Sequence, residues 1–164
     1  MRIKIIGLFC CLVVLGACTT PLNIQNDYEK IASFGYKKDE IIDISYCSVV
    51  LPYYARLGTC ILTVNELGVY WDRKLGVETN INLLNRYKYE EVRKISYKSK
   101  ARLKQIQILA KSSYFAIEIA PGGSFVDQEK TLEWFNFMKE KGVESFDAPE
   151  YMQGPIQQYR IIYE

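Results

Sequence analysis

The chain has 164 residues, with 21 Lys and Arg against 19 Asp and Glu, and no histidine. The missing histidine removes Ser–His–Asp and Cys–His nucleophile pairs, His-ligated zinc and histidine general bases. A net charge of only +2 argues against nucleic-acid binding, which calls for a clear basic excess. The 13 Tyr, 7 Phe and 2 Trp favour strands.

Arg2 and Lys4 precede an apolar run over residues 5–15. The run suits the apolar core of a signal peptide and is shorter than the roughly 20 residues of a transmembrane helix. Leu15-Gly16-Ala17-Cys18 follows it: an aliphatic residue, two small ones and a cysteine. This resembles the lipobox of bacterial lipoproteins. The resemblance implies cleavage before Cys18, a diacylglycerol on its thiol and a fatty acyl chain, such as palmitate, on its amine. Each buried methylene contributes about 0.8 kcal/mol, so three chains would hold the protein on a membrane. Thr19 rather than aspartate resembles the outer-membrane-directed class. The alternative is an ordinary secretory signal with a coincidental cysteine. Removal of residues 1–17 takes Arg2 and Lys4 and no acidic residue, and would leave 19 basic against 19 acidic side chains. The 147 remaining residues suffice for one domain with a real core.

Cys10 and Cys11 fall within the signal, which leaves Cys47 and Cys60 in an oxidising compartment. Both lie in apolar, strand-like runs. A hairpin reversing between Tyr53 and Tyr54 would place them directly opposite, with Cys47 and Val49 on the face of Cys60, Leu62 and Val64. A disulfide there would contribute roughly 3 kcal/mol in the chain-entropy model. Arg56-Leu57-Gly58 could hold the turn instead, and two buried free thiols are the alternative to the bond.

In chain order, residues 19–26 read as a polar tether and 27–34 as a short helix capped by Asn26 or Asp27 and stopped by Gly35. Strands follow over 41–50, 59–64 and 69–73, with a turn at residues 65–68. Residues 76–80 read as a loop, 81–87 and 93–97 as strands, and 98–102 as a charged connection. Leu103, Gln105, Gln107 and Leu109 alternate with Lys104, Ile106, Ile108 and Ala110. The chain turns at Ser112-Ser113 and returns over 114–120 with Phe115, Ile117 and Ile119 on one face. A helix is predicted over 127–141, capped by Asp127 and ended by Gly142, with Leu132, Phe135 and Met138 at helical spacing. A tail with Pro149, Gly154 and Pro155 ends in a strand-like run over 159–163.

About seven strands, mostly hairpin-connected, followed by one amphipathic helix form an α+β, mainly antiparallel pattern. Three segments carry a resemblance to the pleckstrin-homology-like barrel: the strand–turn–strand of residues 62–71, the entry Tyr89-Glu90-Glu91-Val92, and residues 105–119 leading to the helix with Trp134. The resemblance spans residues 44–142, leaving 18–43 as a lipidated N-terminal segment and 143–164 as a tail. It implies a strongly bent sheet or partly open barrel plugged by the helix, in a superfamily whose members bind lipids, peptides or proteins. Lipid-binding members often carry a basic first loop; residues 51–58 offer only Arg56.

The strongest charge feature is residues 86–104, with Lys98, Lys100, Arg102 and Lys104 spaced by two. This spacing projects them to one side of a strand or hairpin, as a patch for anionic headgroups or an acidic partner, or as a solvated hairpin. Residues 127–150 are acidic and offer a neutralising counterpart. Glu90-Glu91 would point to opposite faces of a strand. Asp39, Glu40 and Asp43 lack a calcium-loop spacing, and Gly122-Gly123 lacks the lysine of a phosphate loop. No catalytic residue, metal ligand or cofactor is expected. The expectation is a non-enzymatic lipoprotein on the periplasmic face of the outer membrane that binds another envelope protein. Lipid or glycan binding by the basic hairpin, and immunity against an envelope-directed toxin, are the alternatives.

Overall fold

The computed structural model describes residues 21–51, 54–71, 85–111, 113–123, 125–148 and 150–152. The lipobox with Cys18, the predicted loop over 76–80 and the strand-like run over 159–163 lie outside these residues. The described chain forms helix α1 (Ile24–Ala32), strands β1 (Ile41–Leu51), β2 (Tyr54–Thr63), β3 (Glu66–Trp71), β4 (Asn85–Lys88), β5 (Val92–Lys100), β6 (Leu103–Ala110) and β7 (Tyr114–Ile119), helix α2 (Gln128–Glu140) and a two-residue strand, β8 (Glu144–Ser145). The strands make one curled sheet in the order β4-β3-β2-β1-β7-β6-β5-β8. Every pairing is antiparallel except β5 with β8.

Alternation along the strands sorts side chains onto two faces, and both are covered. The inner face carries Val49, Leu62, Val69, Ile95, Ile106, Ile108, Phe115 and Ile117 and packs against Trp134 and Met138 of α2. On the outer face, Ile44, Ile61 and Tyr70 pack beneath α1 with Ile31 and Tyr36. Further along that face, Val50, Tyr114 and Ala116 lie beneath Met152 and Phe146. The described residues either side of residues 44–142 therefore pack onto the sheet.

Two breaks in strand register make this sorting work. Ile41 pairs with Thr63 and Asp43 with Leu62, so Ile42 is an inserted residue. The bulge brings Ile41 onto the outer face with Ile44, pushes Ile42 out to 44 % exposure and turns Asp43 toward α2. On β5 the register shifts between Val92 and Lys94, which lets Val92 and Ile95 share the inner core.

Cys47 and Cys60 form a disulfide with Cα atoms 5.8 Å apart. They are not directly opposite as expected. Cys47 pairs with Gly58 and Cys60 with Ser45, so the bond runs diagonally across β1 and β2, and the register is displaced by two residues. A slip of two leaves every side chain on its face, so the face assignments made from alternation survive it. The β2–β3 turn is tighter than expected: Thr63 Oγ1 accepts from Asn65 N and Glu66 N, and Glu66, Leu67 and Gly68 already belong to β3.

Helix α1 begins three residues earlier than expected. Asn23 Oδ1 accepts from Gln25 N at 2.7 Å, and Asp27, one of the expected caps, lies in the first turn. Helix α2 is capped by Asp127, whose Oδ1 accepts from Lys130 N at 2.9 Å, and the chain leaves it at Gly142 with φ +87. Its buried side chains are Thr131, Trp134 and Met138. The apolar stripe is thus rotated from the expected one, and Leu132 is 41 % exposed.

The outer face of β5–β7 is closed by residues 146–148 and 150–152, which act as a strap. Gln105 grips the Met152 backbone at both ends: its Oε1 accepts from Met152 N at 2.7 Å and its Nε2 donates to Met152 O at 3.1 Å. Gln107 Nε2 donates to Glu150 O at 2.6 Å, and Ala148 N donates to Ser96 Oγ. Both glutamines are completely buried, and these bonds offset the cost of removing their amides from water.

The disulfide closes a short loop inside the main core. Replacing both Cys47 and Cys60 by Ala should lower unfolding free energy by about 2–4 kcal/mol, read as a lower denaturant midpoint. Intact protein should show no titratable thiol from either cysteine after denaturation, and reduction should release both.

Candidate functional site

The bulge at Ile42 and the N-terminal half of α2 frame a groove of ≈ 480 Å³. Its floor is Leu62, Trp134 and Phe137, and its walls are Ile42, Asp43, Asp127, Glu129, Lys130 and Glu133. Asp43 ties the groove together. Its Oδ2 accepts from Trp134 Nε1 at 2.7 Å and pairs with Lys130 Nζ at 2.9 Å, while Oδ1 accepts from Ile44 N at 2.9 Å. Both ends of the ion pair are about three-quarters buried, so it is shielded more than a surface pair. Asp127 is occupied as the helix cap. Glu129 and Glu133 find no cationic partner among the described residues. Once Lys130 neutralises Asp43, the groove has an apolar floor and predominantly acidic walls.

The basic hairpin is real but divided. Lys98 pairs across with Gln105, Lys100 with Leu103, and Ser99 with Lys104. Directly opposite residues of an antiparallel pair share a face, so Lys98 and Lys100 project to the outer face and Lys104 to the inner one. Its ammonium donates to Ser99 Oγ. Lys98 is engaged by Asp147 of the strap, and Arg102 lies in the turn. The expectation of four bases on one side is therefore corrected: antiparallel pairing reverses the phase across the turn, which a spacing of two along the sequence does not register. Lys100 and Arg102 remain exposed, with Leu103, 44 % exposed, beside them.

The remaining candidates resolve into structural roles. Glu90 and Glu91 lie in a single 3-10 turn rather than a strand; Glu91 accepts from Lys88 N and Glu90 pairs with Lys88 Nζ at 4.0 Å. Glu40 pairs with Lys37. Gly123, with φ +75, closes a turn back to Ala120 O.

A charged cluster not anticipated from the sequence sits beside the β2–β3 turn. Glu66 is buried and pairs with Arg86 across β3 and β4. The Arg86 guanidinium lies 4.3 Å from the centre of the Tyr36 ring, a favourable cation–π geometry. Gly68 is required there, because a Cβ would collide with the Tyr36 hydroxyl. Tyr89 donates from its hydroxyl to Thr63 O at 2.7 Å. No hydrogen bond of normal geometry reaches the Tyr36 or Tyr70 hydroxyl, and the two meet edge-on with ring centres 6.0 Å apart. The only advance signal was the spacing of Tyr, Glu and Arg on neighbouring strands, which reads equally as a solvated surface.

Neither a protein-family model nor a curated protein matches the chain. Solved structures similar to the chain include the following two. The C-terminal domain of an unknown protein from Leishmania infantum is 16 % identical, with a TM-score of 0.45, over 69 % of this chain and 99 % of that one. The hSac2 domain from human phosphoinositide phosphatase Sac2 is 11 % identical, with a TM-score of 0.47, over 82 % and 94 %. At these scores neither likeness bears on ligand or activity.

Two outcomes test this geometry. Asp43→Ala strands the Trp134 N–H and the Lys130 ammonium, and should destabilise the fold by about 1–3 kcal/mol, measured by denaturant unfolding. The second is a loss of stability in alkali. Burial holds the Tyr36, Tyr70 and Tyr89 phenols protonated well above the ordinary value of 10.0. The unfolded chain releases these protons near pH 10, so stability is fully present below that value and falls as pH rises through and beyond it. The melting temperature should drop between about pH 9.5 and pH 11.5, with tyrosinate absorbance rising in step with unfolding.

Proposed function

We propose that this protein is an exported, lipid-anchored, non-enzymatic module that binds another protein at the periplasmic face of a bacterial outer membrane. The observation that carries the proposal is the Cys47–Cys60 disulfide inside the core. Structural disulfides form and persist in oxidising compartments, and the Leu15-Gly16-Ala17-Cys18 lipobox supplies the route there and the anchor. In this reading the curled sheet plugged by α2 is a pleckstrin-homology-like barrel used for recognition. The groove beside α2 is the binding surface, because its apolar floor and acidic walls combine the packing and charge that a polypeptide partner requires. The basic hairpin is a weaker headgroup site, since its bases diverge and Lys98 is already paired.

Cys18→Ser should accumulate as an unprocessed precursor that takes up no radiolabelled fatty acid and fails to fractionate with the outer membrane. Normal labelling of that variant overturns the anchor.

A further inference from the structure

We propose that the occupant of the α2 groove is the β5–β6 tip of a second copy of this chain, exchanged reciprocally in a two-fold dimer. The inference rests on the groove being a protein-binding site, as above, and not on the lipid anchor.

Strand directions place both features on one rim of the sheet. β1 begins at Ile41, β7 ends at Ile119, and Ala120 N bonds Tyr46 O. β6 is antiparallel to β7, with Ile106 opposite Ile117. The tip between Lys100 and Leu103 therefore emerges at the rim where β1 starts and α2 enters. α2 lies between them: Trp134 bonds toward Asp43 on one side, and Phe135 stacks on Tyr97 of β5 on the other, with ring centres 5.6 Å apart. On the same helix Leu132 is exposed.

The two surfaces are complementary. The tip is Lys100-Ala101-Arg102-Leu103, an exposed leucine flanked by bases. The groove offers an apolar floor under Glu129 and Glu133. Neither Lys100 and Arg102 nor Glu129 and Glu133 have an ion-pair partner among the described residues. These four charges, basic at the tip and acidic at the groove, thus lie toward the same end of one molecule. Opposing two such ends about an axis near Leu132 lets each tip enter the other groove. An isologous contact of this kind closes at two copies instead of propagating.

Charge reversal in the full chain tests the proposal. In mild detergent, sedimentation velocity should show a concentration-dependent dimer that weakens at least tenfold as salt rises from about 0.05 to 0.5 M, where screening shortens to a few Å. Arg102→Glu and Glu133→Arg should each be monomeric and should melt as the parent does at concentrations too low for it to dimerise, because both side chains are exposed. Mixing the two variants should restore dimers, since one tip–groove pair then carries matched, reversed charges. A benzophenone amino acid at position 103 should crosslink in cells to residues of α2 in a second copy. Monomers at every concentration, or failure of the mixed variants to associate, overturn the proposal. Crosslinks to a different protein overturn it while leaving the protein-binding reading intact, and crosslinks to lipid alone overturn both.

Discussion

A sheet that buries both faces must be covered on both, and that constraint organises this molecule. One helix, α2, serves the inner face. The outer face is shared between α1 at the β1–β3 side and the strap of residues 146–148 and 150–152 at the β5–β7 side. The two covers differ in chemistry. Beneath α1 the contacts are aliphatic and aromatic. Beneath the strap the sheet presents Ser96, Gln105 and Gln107, which hold backbone groups of an irregular segment, beside one backbone bond from Phe146 N to Ile95 O. An extended segment crossing a sheet cannot satisfy its own N–H and C=O groups, so it needs side-chain amides where a helix needs only methyl groups.

The same requirement explains which parts of the fold were legible in the sequence. Strand alternation, the order of hairpins, helix α2 and the cap at Asp127 follow from local pattern and were read directly. The cysteine pairing was also legible, although the register was displaced by two, because alternation carries information only modulo two. The bulges at Ile42 and beyond Val92 escaped notice because an inserted residue reads as a fault in alternation. Gln105 and Gln107 escaped for the opposite reason: a polar residue at every second position describes a solvated face equally well as one buried beneath a strap. The groove itself was illegible, since Asp43 and Trp134 lie 91 residues apart in sequence.

The charge pattern separates scaffold from surface. Buried or half-buried charges are matched: Glu66 by Arg86 and Asp43 by Lys130. Among the described residues the groups with displaced ionisation are tyrosines held protonated and Arg86 held charged; burial is the largest single influence on Arg86 and opposes its charge, but the bond to Glu66 and the neighbouring Glu66, Tyr36 and Tyr70 together outweigh it. These shifts lead away from neutral pH, whereas acid–base chemistry needs groups drawn toward it. They reflect packing. Among the charges without an ion pair in the described residues, Glu129 and Glu133 border the groove and Lys100 and Arg102 flank an exposed leucine. Unpaired charge beside exposed apolar surface gains most from a partner that buries the second while neutralising the first. In the proposed reading, the rim that carries this arrangement is the recognition surface.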